Sequence, residues 1–246
     1  SMAAGRVSYC LGLRGPSFSV DTACTAGLTA CHIACGAVLS SECESAVAAG
    51  VNMNFFPDMF AVMNGFKQVN GRCYSFDHRA SGFVASEGCV AAVVNSSERT
   101  RAAASLAARV VCNVTRCAGK SASLTAPNAA SQLMLLRTAW HTLGQHPHVV
   151  EAHGSGTPLG DPIEVQAVLR ALTDSEEKVC IGALKAHVGH MLPTSGMASL
   201  VKSTLMLKHQ KVSPNALLRV LHPNCAMLTG CREQLTFPTD ISSIPL

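Results

Sequence analysis

The sequence predicts a layered α/β fold, and three observations support this prediction. Short apolar runs alternate with helix-length stretches along the 246 residues. Several helix-length stretches begin directly after a turn that contains Gly, Pro, Asp or Thr. The hydrophobic fraction is 48% and the charged fraction only 14%, whereas a disordered chain needs low hydrophobicity and high charge. The chain is therefore expected to bury a large core.

The first half of the chain is predicted to contain four strands and one long helix. The apolar run at residues 16–21 is typical of a buried strand, and residues 23–39 lack proline and predict a helix. Further strands are expected over residues 45–51, 88–94 and 107–114. A loop is expected over residues 52–71, and the polar and then Ala-rich segment 96–104 is the best candidate for an internal boundary.

The second half repeats the same alternation. Helices are expected over residues 129–143, 161–172 and 193–208, and strands over residues 149–152 and 179–184. Pro162 and Pro193 fall in first turns, where a missing N–H costs nothing, so both mark helix starts. Residues 217–246 show no clear periodicity, and we expect this tail to run over the surface.

Composition excludes several classes of protein. The net charge is +4 and aromatic residues make up 4% of the chain, so nucleic-acid binding has little support. No apolar run reaches the roughly 18 residues of a membrane span, and the first residues lack a secretory pattern, so we expect a cytoplasmic protein. The 12 cysteines form no CxxC pair, and most are expected to be buried free thiols.

Cys24 lies at a predicted corner between a strand and a helix, in the sequence DTACTAG at residues 21–27. Unpaired amides and the macrodipole at a helix N-terminus favour a thiolate, so Cys24 is a candidate nucleophile. Its own amide could also donate to an oxyanion that develops on an acyl group. A buried structural thiol is the alternative, and a single corner cysteine does not decide between the two.

A glycine-rich loop, EAHGSGTPLGDP at residues 151–162, joins a predicted strand to a predicted helix. His153 stands at the end of that strand, which is where open α/β sheets bind ligands. The hydroxyls of Ser155 and Thr157 could bind a polar chain, and the glycines permit close approach of the backbone. A tight turn with a hydrogen-bonded histidine is the alternative interpretation.

Residues 185–190, KAHVGH, again follow a predicted strand and precede a predicted helix. We expect His190 to share the crevice of His153, with Lys185 setting the local potential. Two strand-end histidines and a corner cysteine are typical of acyl transfer. His187 and His190 could instead be partial metal ligands, but no Asp, Glu or Cys lies at ligand spacing, so no metal is expected.

Together these segments resemble the β-ketoacyl synthases, in particular the ketosynthase domains of polyketide synthases and type I fatty acid synthases. The resemblance is carried by residues 20–24, 75–88, 124–128, 151–164 and 182–190. It implies a thiolase-like α/β/α sandwich of two related halves, truncated at both ends. Residues 1–104 would form the half with the nucleophile, and residues 105–246 the half with both histidines, without the family's final Gly-Phe-Gly-Gly loop.

The resemblance also implies a reaction, the decarboxylative condensation of an acyl thioester with a malonyl-type thioester. Cys24 would carry the acyl chain, and His153 and His190 would assist decarboxylation and stabilise the enolate or thioester oxygen. Lys185 matches the lysine that supports the family's site. The chain departs from the usual family pattern at residues 25–27, at His187 and at residues 191–193, which could change substrate choice.

Partners are likewise implied by the resemblance. Ser155 and Thr157 match the hydroxyls that hold the phosphopantetheine arm of an acyl carrier protein, and no tightly bound cofactor or metal is expected. A homodimer is expected because related synthases pair. Two alternatives remain: a non-catalytic or chain-length-determining partner subunit, and a non-decarboxylating thiolase-like acyltransferase.

Overall fold

The computed structural model describes residues 2–56, 71–96, 106–123, 125–173, 177–230 and 234–244. The helices are α1 (Met2–Leu11), α2 (Ala26–Leu39), α3 (Ala129–Leu143), α4 (Gly160–Ala171), α5 (Lys185–Val188), α6 (Ser195–His209) and α7 (Pro223–Thr229). The strands are β1 (Ser45–Asn52), β2 (Gly88–Asn95), β3 (Val149–Glu151), β4 (Val179–Gly182), β5 (Lys211–Val212), β6 (Leu235–Thr236) and β7 (Ser242–Ser243). Short 3₁₀ turns, Ala23–Thr25 and Leu192–Thr194, lead directly into α2 and α6.

A parallel sheet of order β3-β4-β6 forms the centre of the second half. Every residue of β4 is buried, which explains why its sequence, VCIG, does not alternate between apolar and polar residues. In the first half β1 and β2 pair antiparallel, from Ser45 opposite Asn95 to Asn52 opposite Gly88. The short strands β5 and β7 pair antiparallel as well.

Two hydrophobic clusters fill the space between these elements. The larger one packs α3, α4 and α7 against the parallel sheet, around the fully buried Val165, Leu172 and Ile181. The smaller one packs α2 against β1, β2 and α6, around Ala48 and Met197. Because α2 and α6 share this second cluster, the turns that precede the two helices are held close together.

The segment around residues 74–80 is fastened to the region around residue 220 by a buried carboxylate. Asp77 is fully buried and accepts hydrogen bonds from the guanidinium of Arg79 at 2.6 Å and from the amide of Arg219 at 2.8 Å. The amide of His222 donates to the carbonyl of Phe76 at 2.7 Å. These bonds fix a segment that has little regular structure of its own.

Several predicted elements are confirmed, some to the residue. Helix α3 has the predicted bounds, and β1 and β2 each extend one residue beyond theirs. The predicted helices at 23–39, 161–172 and 193–208 correspond to α2, α4 and α6, two of them opening with a 3₁₀ turn. The predicted strands at 149–152 and 179–184 correspond to β3 and β4. The sequence analysis did not predict helix α1.

Three expectations about the fold are wrong. Residues 16–21 and 107–114 form no strand, because a strand requires a ladder partner and neither segment pairs with another among the described residues. The tail does not merely run over the surface: α7 buries Cys225, and β6 joins the parallel sheet and buries Leu235. Most of the expected loop at 52–71 and of the boundary at 96–104 lies outside the described residues.

One finding concerns membranes. Within the part of the chain that the structure describes, none of the helices combines the length and the apolar character that a bilayer span requires.

Replacing Asp77 tests the fastening of the segment around residues 74–80. Burial alone would raise the pKa of Asp77, but hydrogen bonds from Arg79 and from the amides of Arg219 and Val220 outweigh burial and lower the pKa well below its usual value. A carboxyl with a lowered folded-state pKa stabilises the fold at neutral pH, and this contribution is lost as the pH falls below about 4. Asp77→Asn should therefore lower the free energy of unfolding at pH 7 by about 3 kcal/mol.

The measurement is urea unfolding of the wild type and the variant between pH 3 and pH 7, with the exposed Asp240→Asn as control. The difference in the free energy of unfolding between the wild type and Asp77→Asn should become smaller as the solution is acidified. The control variant should have the unfolding free energy of the wild type at each pH. A difference of constant size at every pH would contradict this assignment.

Candidate active site

The carboxyl ends of β3 and β4 place two loops beside each other. Glu151 pairs with Gly182, so the chain leaves both strands at the same edge of the parallel sheet. His153 follows the first strand, and Lys185 begins α5 after the second. The Lys185 ammonium donates to the carbonyl of His153 at 2.6 Å and lies 3.5 Å from Nδ1 of the same residue.

The ring of His190 lies next to the ring of His153. Its ring centroid lies 5.4 Å from that of His153, with the two ring planes nearly perpendicular at 84°. The backbone of His190 is fixed by a bond from its amide to the carbonyl of Val84 at 2.7 Å, and its ring contacts Phe83 edge-on. The side chain is fully buried.

Cys24 lies in the 3₁₀ turn Ala23–Thr25, which packs against the turn Leu192–Thr194 that follows His190. The packing is close, because a Cβ on Gly27 would come within 2.7 Å of the carbonyl oxygen of Pro193. The charge of Lys185 acts on the thiol of Cys24. The structure thus brings the predicted cysteine, lysine and histidines into one region.

Hydrogen bonds define the tautomers of both histidines. The Leu192 amide, which can only donate, lies 3.2 Å from Nδ1 of His190, so this nitrogen must accept and the proton belongs on Nε2. The Lys185 ammonium has only donors as well, and it faces Nδ1 of His153 in the same way. Nε2 of His190 is buried and has no hydrogen-bond partner within the ranges that the structure describes. Each ring therefore presents an N–H donor at Nε2.

Both histidines are neutral at physiological pH. Burial and then the charges of Lys185 and of the neighbouring ring lower the pKa of His190 to about 2. Desolvation by the surrounding atoms, followed by the positive charge of Lys185, also lowers the pKa of His153. His153 keeps an exposed face at the cleft, so water moderates the shift, but both causes act in the same direction.

The expected stabilisation of a Cys24 thiolate by the helix N-terminus is outweighed by burial. Burial raises the pKa of the Cys24 thiol, and the opposing effects of Lys185 and of the Cys24 amide are smaller. The sequence argument counted the helix N-terminus and left out the desolvation of a half-buried thiol. The environment of Cys24 therefore favours the thiol over the thiolate, relative to an exposed cysteine.

Glu164 is a functional candidate that the sequence analysis missed. Its carboxylate accepts hydrogen bonds from the amides of His153 at 2.7 Å and Gly154 at 2.9 Å. Burial raises the pKa of Glu164, while these amide bonds and Lys185 oppose the rise. A carboxyl a few residues after a glycine-rich loop was the available signal, because that loop must find acceptors for its amides.

Asp161 connects the same loop to a second one. Its carboxylate accepts from the amides of Phe76 at 2.7 Å and Gly156 at 3.1 Å, and burial raises its pKa to about 7 against these bonds. The loop requires glycine at Gly154, where φ is +42° and a Cβ would come within 2.4 Å of the Ala183 Cβ. Asp161 thus determines where the loop that carries His153 lies.

The two predicted hydroxyls contact each other at the start of α4. The oxygens of Ser155 and Thr157 are 3.2 Å apart, and Thr157 also accepts the amide of Gly160. Their role in holding phosphopantetheine stays a prediction.

The sequence also allows the alternative that His187 is a partial metal ligand. In the structure, Nε2 of His187 is hydrogen-bonded to the carbonyl of Pro214. Within the described ranges, no group of three or more His, Cys, Asp or Glu side chains is arranged to hold a metal ion.

Comparison with known proteins adds the following. The family model described as β-ketoacyl synthase, N-terminal domain, matches residues 1–100, and the model of the C-terminal domain matches residues 107–219. Highly reducing polyketide synthase 40 of Fusarium mangiferae is 35% identical over 254 residues, which is 100% of this chain and 10% of that protein. Mycoketide-CoA synthase of Mycobacterium tuberculosis is 37% identical, over 97% of this chain and 6% of that protein. The chain thus spans only a small part of the length of these relatives.

Solved structures show the same similarity in three dimensions. An oxazolomycin ketosynthase domain from Streptomyces albus aligns with a TM-score of 0.89 and 32% identity, over 98% of this chain and 43% of that one. The ketosynthase from module 6 of the bacillaene synthase of Bacillus subtilis aligns with a TM-score of 0.90 and 29% identity, over 100% of this chain and 45% of that one. The predicted α/β fold of thiolase type is confirmed.

Proposed function

The chain belongs to the β-ketoacyl synthase family, and from this premise we propose that it acts as a ketosynthase that extends acyl chains by decarboxylative condensation in polyketide biosynthesis. The observation that carries the proposal is the pair of neutral histidines, His153 and His190, whose ring centroids lie 5.4 Å apart. The hydrogen bonds that fix each ring are made at Nδ1, so they leave the N–H group at Nε2 able to donate. Two such donors beside a thiol suit a reaction that develops charge on a thioester oxygen.

The first step loads the acyl chain. The sulfur of Cys24 attacks the carbonyl carbon of an acyl thioester on an acyl carrier protein, and a new carbon–sulfur bond forms as the carrier's bond breaks. The carrier's thiolate leaves and takes up the proton that Cys24 loses. Because the thiolate is the nucleophile and burial raises the pKa of Cys24, the thiol must lose its proton before the attack, and the nearby Lys185 charge favours this loss.

The second step generates the carbon nucleophile. A malonyl-type thioester loses carbon dioxide, and the electron pair of the broken carbon–carbon bond enters an enolate whose charge rests on the thioester oxygen. The Nε2–H groups of His153 and His190 donate to that oxygen. Neutral donors suit this task, because they hold the charge without transferring a proton that would quench the enolate.

The third step joins the two units. The enolate carbon attacks the carbonyl of the acyl group on Cys24, and the tetrahedral adduct collapses with Cys24 as the leaving group. The product is a β-ketoacyl thioester on the carrier protein, and Cys24 is free for another cycle. The buried Lys185 charge near the thiol also stabilises the departing thiolate.

The proposal also includes two partners, an acyl carrier protein with its phosphopantetheine arm and a second copy of this chain. Ser155 and Thr157, at the start of α4, would contact the phosphopantetheine arm that delivers each thioester. A second copy of the chain would complete a homodimer, and the exposed side chain of Phe18 is one apolar group that such a contact could cover. A non-catalytic partner subunit needs no nucleophile, so Cys24 beside Lys185 argues against that alternative.

Removing the thiol tests the loading step. Incubation with a radiolabelled acyl thioester, followed by intact-protein mass spectrometry, should show one acyl group on the wild type and none on Cys24→Ala. Cys10→Ala, which removes an exposed thiol from α1, should label normally. Because the thiolate is the nucleophile and its pKa is raised, the initial rate should climb about tenfold per pH unit between pH 6 and pH 8. Equal labelling of Cys24→Ala would refute the assignment.

Removing the histidines tests the second step. Release of carbon dioxide from a malonyl carrier protein should fall by about 10²- to 10³-fold in His153→Ala and in His190→Ala, the usual loss for one oxyanion donor. Acyl loading on Cys24 should fall much less. His187→Ala is the matched control, since its ring binds the Pro214 carbonyl instead. Decarboxylation at the wild-type rate in both variants would remove the roles assigned here.

A further inference from the structure

We propose that Ser195 is a positioning residue that fixes the tautomer and the orientation of the His190 ring. Ser195 is the first residue of α6 and is 3% exposed. Its hydroxyl oxygen lies 2.8 Å from Nδ1 of His190. The catalytic consequence of this contact rests on the proposed function, whereas the contact itself does not.

Two donors meet at Nδ1 of His190. The Leu192 amide lies 3.2 Å away, and it belongs to a residue in the left-handed region, with φ of 45°. Such a backbone is strained for a residue with a side chain, and the surrounding structure must hold it in place. The Ser195 hydroxyl makes the shorter of the two contacts, so we expect it to contribute more to holding the ring.

The two hydrogen bonds at Nδ1 disfavour two other states of the His190 ring, namely a flipped ring and the tautomer with its proton on Nδ1. A half-turn about the bond to Cγ would place a carbon where the two donors now find a nitrogen. The tautomer with the proton on Nδ1 would set an N–H against the Leu192 amide. Either change would leave a buried donor unsatisfied, which is unfavourable. Either change would also move or remove the N–H at Nε2.

The restraint at Nδ1 has no counterpart at Nε2. The Nε2 atom of His190 is buried and finds no hydrogen-bond partner among the described residues, so within that part of the chain the hydrogen bonds to the ring are those at Nδ1. Phe83 contacts the ring edge-on, with centroids 4.7 Å apart, and an apolar contact does not distinguish nitrogen from carbon. The choice of tautomer therefore depends on the donors at Nδ1.

The hydroxyl is carried by a firmly anchored helix. On α6, Lys202 forms a buried ion pair with Glu151 at 2.6 Å, and Glu151 also accepts the amide of Leu184 at 2.6 Å. The same helix therefore connects to the end of β3 and to the turn that carries Lys185. A donor mounted on such an element keeps its position better than one on a loop.

The experiment compares Ser195→Ala with Ser195→Thr, which restores a hydroxyl, and with Ser195→Cys, which keeps the volume but donates weakly. Ser203→Ala is the matched control, because it removes a serine hydroxyl of α6 that donates to the carbonyl of Ser199 in the same helix. The ¹⁵N NMR spectra of histidine-labelled protein report which nitrogen of His190 is protonated, with the signals assigned from His190→Gln. Carbon dioxide release and acyl loading are measured on the same samples.

In Ser195→Ala we expect the His190 signals to shift toward a mixture of tautomers. We also expect carbon dioxide release to fall about fivefold, the factor for one hydrogen bond of ~1 kcal/mol, while acyl loading is unchanged. Ser195→Cys should behave similarly, and Ser195→Thr and Ser203→Ala should resemble the wild type.

Two results would count against these ideas, and they are distinguishable. Wild-type NMR signals in both Ser195→Ala and Ser195→Cys would overturn the positioning role, whatever the activity. A wild type that releases no carbon dioxide would instead overturn the proposed function, while the NMR comparison would still decide the role of Ser195.

Discussion

One buried ammonium, that of Lys185, sets the electrostatics of the whole site. The residue is 4% exposed, and burial lowers its pKa while Glu164 provides the main opposing charge. Its positive charge contributes to the lowered pKa of His153 and of His190 and acts against the burial of Cys24. This one charge adds to the desolvation that keeps the two rings neutral as hydrogen-bond donors, and it favours departure of a proton from the thiol.

Backbone strain accompanies these electrostatics. Ala23, Phe76 and Leu192 all lie in the left-handed region, with φ between 45° and 61°, and none of them is glycine. Each stands beside a group of the site: the first precedes Cys24, the second contacts the loop of His153, and the third donates to His190. Such conformations cost about 1–3 kcal/mol each and persist only where packing and hydrogen bonds enforce them.

The sequence predicts more of the local structure and less of the long-range structure. Strand-end loops such as the one at His153 could be recognised because glycines and a following helix start are local signals. The segments at 16–21 and 107–114 were mistaken for strands because apolar composition cannot show whether a ladder partner exists.

The same distinction applies to the site. Cys24, His153, Lys185 and His190 are found from motifs, and the structure places them together. The raised pKa of Cys24 and the role of Ser195 could not be found, because they depend on burial and on a bond between two segments folded against each other. Such properties arise only when distant parts of the chain pack.

The most direct test of this account is an NMR titration of His153 and His190 in Lys185→Met, with the exposed Lys211→Met as control. If the buried ammonium adds to the desolvation that lowers both histidine pKa values, the pKa of each histidine should rise in Lys185→Met, yet remain below its ordinary value because the desolvation persists. The control should match the wild type. Unchanged or lower histidine pKa values in Lys185→Met would contradict the central claim.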